Sequence, residues 1–177
     1  MKRKLRAGSR KKELHSEPQG GPRASRPFAP GYGIADANKG DGLLPWSWAQ
    51  RKLEKTQNYW LVSVHPANRP HVMPVWGVWL DDAFYFSTGK NTRKARNLAA
   101  NPQCTVCSES SDEAVIVEGV AEIYRDQNGL KQVFAAYKKK YKMEISGMGE
   151  PMYLVRPKTV FGLIEKTFPK SATRWKF

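Results

Sequence analysis

The sequence predicts a mostly β fold, an antiparallel barrel with a few peripheral helices. Short runs rich in Val, Ile, Thr and aromatic residues recur from Tyr59 to Phe177, divided by Pro, Gly and Asp turn signals, and such runs suit strands. Only three stretches space their apolar residues as a helix does. Strands and helices do not alternate as a parallel sheet requires. About seven or eight strands against three helices follow from these patterns.

The chain has 177 residues, 40% apolar and 11% aromatic, enough for one compact core. Its formal charge of +14 is high for that size. Residues 1–27 hold nine Lys or Arg against Glu13 and Glu17, so half of the net charge lies in the leader. Its Ser, Pro, Gly and basic composition offers too little apolar surface to offset the entropy of ordering. The expectation is a disordered basic tail over residues 1–30 and a folded domain over 31–177. The leader lacks the apolar segment of a secretory signal, and no stretch is long enough to span a bilayer, so a cytoplasmic protein without membrane contact is expected. The tail could grip nucleic acid through nonspecific phosphate contacts. Without interleaved aromatics, a solubilising extension is the favoured reading.

Pro45 suits a first helical turn, and Trp46, Ala49 and Leu53 continue the helix to about Thr56. Tyr59 to His65 is the first strand and His71 to Leu80 the second, with Pro74 marking an edge or a bulge. A tight Asp81-Asp82 turn leads to the antiparallel partner, Phe84 to Ser87. Gln103 to Ser108 and Ala114 to Tyr124 follow, Gly119 marking a bulge or a close backbone approach. Leu130, Val133, Phe134, Tyr137 and Tyr141 give one apolar helix face, and Lys138, Lys139 and Lys140 are assigned to its solvated sides. Met152 to Arg156, Thr159 to Glu165 and Ala172 to Phe177 are three more strands, separated by Pro157 and by a Phe168-Pro169-Lys170 turn.

Two tempting motifs are set aside. Cys104 and Cys107 form a C-x-x-C pair on a strand, where residues three apart face opposite ways. No second pair and no helix start accompany them, so structural thiols are expected. His65 and His71 flank a turn without Cys or carboxylate at ligand spacing, and no metal site is expected.

The informative stretch is Ser87-Thr88-Gly89-Lys90-Asn91-Thr92-Arg93-Lys94. Thr92 is a good N-cap, and the helix it starts ends before Pro102. Open N–H groups at a helix start attract an anion. Arg93 and Lys94 add cations there, and Ser87, Thr88 and Thr92 add hydroxyls, a pattern suited to a phosphate monoester. The competing reading is a solvated basic helix face that binds nothing.

The order of strand, Asp-Asp turn, strand, Ser-Thr, Arg-Lys, Asn-Leu and Asn-Pro resembles the pyridoxamine 5′-phosphate oxidase-like proteins. The resemblance extends to Tyr59–Val64 with Arg69–Trp76, to Glu118-Gly119-Val120-Ala121 and to Thr173-Arg174-Trp175-Lys176-Phe177. It covers most of the chain from about Leu44 onward and implies a Greek-key split β-barrel, a homodimer, and FMN held between subunits. By the resemblance, Ser87, Thr88, Thr92, Arg93 and Lys94 hold the phosphate. His71, Val72, Met73, Pro74, Val75 and Trp76 run along the flavin ring, and Trp175 reaches the partner's flavin. A flavin does hydride chemistry itself, which agrees with the lack of a catalytic triad or carboxylate pair.

The oxidases proper carry a lysine for the substrate phosphate where Trp76 stands, and a C-terminal Arg-x-His motif that this sequence lacks. The resemblance therefore implies an FMN-dependent oxidoreductase of some other small organic substrate. Similar split barrels use the deazaflavin F420, the alternative cofactor. A barrel that binds a cofactor or nucleic acid without turnover is the third reading.

Overall fold

The computed structural model describes residues 21–36 and 40–177. Its strands are β1 (Arg23–Ser25), β2 (Tyr59–Val64), β3 (Pro70–Val75), β4 (Val78–Leu80), β5 (Ala83–Ser87), β6 (Gln103–Ser108), β7 (Glu113–Ile123), β8 (Met152–Ile164) and β9 (Thr173–Lys176). The helices are α1 (Trp46–Lys55), α2 (Arg93–Ala100), α3 (Gln127–Tyr141) and the single turn α4 (Phe168–Ser171). All strand pairs are antiparallel, in the order β1-β9-β8-β7-β6-β2-β3, with the β4-β5 hairpin on the first half of β8. Only Trp76 and Gly77 separate β3, the last strand of that order, from β4, so the chain itself joins the two flanks of the sheet. This is the expected mostly β split-barrel fold.

Local chemistry explains most boundaries. Asp81 and Asp82 both adopt positive φ, the geometry a two-residue hairpin turn demands. Thr92 accepts from the Ala95 amide and Asp126 from those of Asn128 and Gly129, capping α2 and α3. The core gathers Leu53 from α1 with Tyr59, Phe84, Phe86, Val106, Val117, Val155 and Trp175 from the sheet.

Three expectations need correction. The run from His71 to Leu80 is two strands, because Gly77 packs its Cα against the buried Phe84 ring and the chain bends there. Pro74 does lie on a terminal strand. Conversely, Pro157 does not break β8: it pairs opposite Gly119, where the β7-β8 register shifts, so its missing N–H falls where the ladder is already irregular. Finally, the expected tail over residues 1–30 overlaps the fold. Arg23–Ser25 pair with Arg174–Lys176, and Arg26, 2% exposed, donates to the carbonyls of Lys170, Asp41 and Ala172. Backbone pairing to β9 needs no apolar periodicity, which is why composition did not reveal it. The rest of the leader, residues 1–20, and with it the nucleic-acid expectation, lies outside the described residues.

Candidate functional site

The site is built where β5 ends and α2 begins. Thr88 is buried, and its hydroxyl lies 3.2 Å from that of Thr92, which in turn caps Ala95 at 3.3 Å. The loop between them is held by Thr92 N–H to the Gly89 carbonyl and by Lys90 N–H to the Glu150 carboxylate at 2.9 Å. A helix leaves its first N–H groups without intrahelical acceptors. Those of Arg93 and Lys94 stay open among the described residues. Arg93 is exposed and Lys94 half-buried, so two cationic side chains flank two open amides.

α2 packs on β2 through Asn97, which is buried and donates to Ser63 Oγ at 3.0 Å. Ser63 stands directly opposite His71 in register, so the imidazole lies on the face that α2 covers. His71 Nδ1 is buried and lacks a protein partner. Desolvation first, then the nearby Arg93, Lys94 and His65, lower its pKa below the usual histidine value. A cavity of about 250 Å³ adjoins, lined by His65, Pro66, Arg93, Arg96 and Asn97.

The structure thus brings together His71, Thr88, Thr92, Arg93 and Lys94. Ser87 sits at the same strand end, yet its hydroxyl donates to the Pro151 carbonyl at 3.1 Å. Val72 and Met73 are exposed on the terminal strand β3, with Pro74 beside them, whereas Val75 is buried under the sheet. Trp76 lies farther off, at the β3-β4 bend, stacked on Tyr141 with ring centroids 4.7 Å apart and planes 9° apart. Trp175 is a correction. It is 1% exposed, packs edge-on against Trp46 at 5.4 Å, and fills the space above Gly162, so it cannot reach across to a partner's ligand.

Sequence reasoning missed Asn97, Lys140 and Tyr141. Lys140 follows Tyr137 by three and so borders the apolar stripe Val133, Tyr137 and Tyr141, the one signal that could have placed it inward. Its ammonium donates to Tyr59 and to the Gly77 carbonyl, while the Tyr141 hydroxyl donates toward the Gln57 and Gly77 carbonyls. The two cysteines are free. Cys104 is buried, its thiol pushed up to about 12 by desolvation, and Cys107 is half-buried, as alternation along β6 dictates. No helix among the described residues is long and apolar enough to cross a membrane.

An antiparallel split barrel with an anion-receptive helix start beside its terminal strand defines a class of fold and site, and sequence comparison gives it a family. Residues 49–166 match the family model described as pyridoxamine 5′-phosphate oxidase, and the chain belongs to that family. Among solved structures, it is similar to an F420 reductase (TM-score 0.52, 22% identity, covering 63% of this chain and 94% of that one). It is also similar to a heme storage protein from Vibrio cholerae (TM-score 0.57, 20% identity, 66% and 92% covered). A third similar structure is an FAD-binding protein from Mesorhizobium loti (TM-score 0.56, 15% identity, 76% and 95% covered). No curated protein matches the chain.

Proposed function

We propose that the protein is an FMN-dependent oxidoreductase acting on a small organic substrate, and that it works as a homodimer. The observation that carries this reading is the convergence at the start of α2: two open amides, the Arg93 and Lys94 cations, the Thr88-Thr92 hydroxyl pair, and a buried His71 nitrogen with no protein partner. These donors fit a phosphate monoester, which offers acceptors and charge but no donors at neutral pH. FMN, when bound, supplies the hydride chemistry itself. The chain's own part is to grip the phosphate with Arg93, Lys94 and Thr92, and to present the backbone edge of β3 from His71 to Val75 with Trp76 just beyond it. Trp60, Val72, Met73 and Trp76 expose between 41% and 49% of their surface in the single chain, an apolar area suited to a second subunit.

F420 is the second reading. The cavity beside the cradle adds the Arg96 cation and the His65 ring to Arg93, more groups than one phosphate needs, and a longer acidic cofactor would use them. Titration of both cofactors against wild type and Arg93→Ala tests the proposal. Loss of a charge-assisted contact worth about 1.5 to 3 kcal/mol should weaken FMN binding about ten- to a hundredfold. Riboflavin, which has no phosphate, should bind poorly and ignore the mutation. Unchanged affinity for both phosphorylated cofactors would return α2 to a solvated basic face. Preference for F420 would keep the cradle and replace the cofactor. A monomeric mass by light scattering at micromolar concentration would reject the dimer.

A further inference from the structure

The edge strand β1 assembles a surface that no single stretch of the chain contains. Alternation puts Arg23 and Ser25 on one face of β1, and the register sets them opposite Lys176 and Arg174 of β9, while Trp175 between those two turns into the core. Arg174 donates from Nε and Nη2 to Ser25 Oγ at 3.1 and 3.0 Å, so β1 holds its guanidinium in place. Arg23 and Lys176 are exposed beside it. None of these three cations forms an ion pair among the described residues.

The segment that follows β1 runs past Arg174 and leaves a groove of about 320 Å³, lined by Pro27, Phe28, Ile34, Asp36 and Arg174. Phe28 is 89% exposed, and Pro27 restricts the backbone that presents its ring. Arg26, also in the lining, is buried on the other face of β1 with its N–H groups on backbone carbonyls. Asp36 offsets one of the three surface cations, an excess of two. The leader adds to it, since residues 1–20 carry seven Lys or Arg against Glu13 and Glu17 and lead into this strand. The leader itself lacks interleaved aromatics; the fold supplies one by setting Phe28 beside Arg174 from the far end of the chain.

We propose that this edge binds single-stranded nucleic acid, with a base stacked on Phe28 next to the Arg174 guanidinium and the backbone phosphates on Arg174, Arg23 and Lys176. A cationic track with an aromatic platform suits a single strand, because each phosphate carries charge and each base offers a flat face whatever the sequence. A duplex hides its base faces and would use the cations alone. A bilayer would be met by a protruding apolar surface, whereas Phe28 borders a concave groove. No residue of α2 takes part, so the site is separate from the phosphate cradle.

Fluorescence anisotropy of the full chain with a labelled oligothymidylate, and with a duplex of equal length, tests this over a series of salt concentrations. The single strand should bind tighter than the duplex. Phe28→Ala, at an exposed position, should weaken the single strand about five- to a hundredfold, the loss of one stacked base, and leave the duplex unchanged. Arg174→Gln, which keeps a donor for Ser25, should weaken both and flatten the slope of log affinity against log salt by about 0.7 for the single strand. Arg93→Ala should leave the affinity for the single strand unchanged, which separates this site from the cradle. Equal affinities for the two probes, or undiminished single-strand binding in Phe28→Ala, would overturn the proposal and leave only the leader's charge. Binding to phosphatidylserine vesicles that falls in Phe28→Ala, without binding of the single strand, would overturn it in favour of a lipid surface. If Arg174→Gln does not fold, the pair of probes and Phe28→Ala decide.

Discussion

The start of α2 and the end of α3 look alike in sequence, each a short run of lysine or arginine beside polar residues, yet the fold uses them in opposite ways. At the start of α2, Arg93 is exposed and Lys94 half-buried, and the first amides stay open among the described residues. At the end of α3, Lys140 turns inward and, with Tyr141, is hydrogen-bonded to the chain at Gly77. The first cluster leaves its amides without acceptors among the described residues, while the second holds the β3-β4 bend. The difference teaches that a basic run reports its charge, whereas its role depends on which helix face the sheet covers.

The largest expected effect tests whether the bend is as tightly built as this contrast requires. A methyl group at Gly77 would overlap the fully buried Phe84 ring and approach the Tyr85 carbonyl at 2.9 Å. Gly77→Ala should therefore lose on the order of 3 kcal/mol in urea unfolding. Gly89→Ala in the cradle loop, whose methyl would meet Thr92 Cγ2 at 3.3 Å and the Glu150 carboxylate at 3.7 Å, should cost under about 1 kcal/mol. Equal midpoints for the two variants would erase the distinction.

Next comes Tyr59→Phe. The hydroxyl is buried, donates to the Leu53 carbonyl and accepts from Lys140, so its removal leaves two groups short of a partner. About 1 to 3 kcal/mol of stability should be lost, against little change for Arg93→Ala, whose expected loss is in cofactor affinity. A destabilised Arg93→Ala in the empty protein would make the cradle structural as well. Thr92→Ala, which removes the α2 N-cap, should cost about 1 kcal/mol and also weaken FMN, the one change that touches both properties.

A pH slope tests the same contrast through a different readout. Burial lowers Lys140 from 10.5 to about 8, so between about pH 8 and 10 the unfolded chain binds a proton that the folded chain has released. Stability should rise with pH across that window, and the rise should vanish in Lys140→Met. Above about pH 10 the slope should reverse, since burial raises the pKa of Tyr59 and Tyr141 and only the unfolded tyrosines ionise there. A Lys140→Met profile that tracks wild type through this range would remove Lys140 as the cause.

What the sequence determined by itself was whatever neighbouring residues decide among themselves. Alternation located the strands, Asp81-Asp82 the hairpin turn, and Thr92 the helix start, because strand faces, turn dihedrals and caps are settled within a few residues. The strand end and capped helix start from Ser87 to Lys94 were legible for the same reason, being one contiguous stretch. What only the tertiary structure decided were relations between distant parts of the chain. β1 finds β9 at the far end of the chain, joined further by Ser25 and Arg174. Pro157 is tolerated because the β7-β8 register shifts at Gly119, its partner. Trp175 fills the core because Gly162 opens space for its ring, and Lys140 turns inward because Gly77 offers it a carbonyl. Periodicity identifies a face, but the groups that will cover it lie elsewhere in the sequence and meet it only when the sheet closes around them.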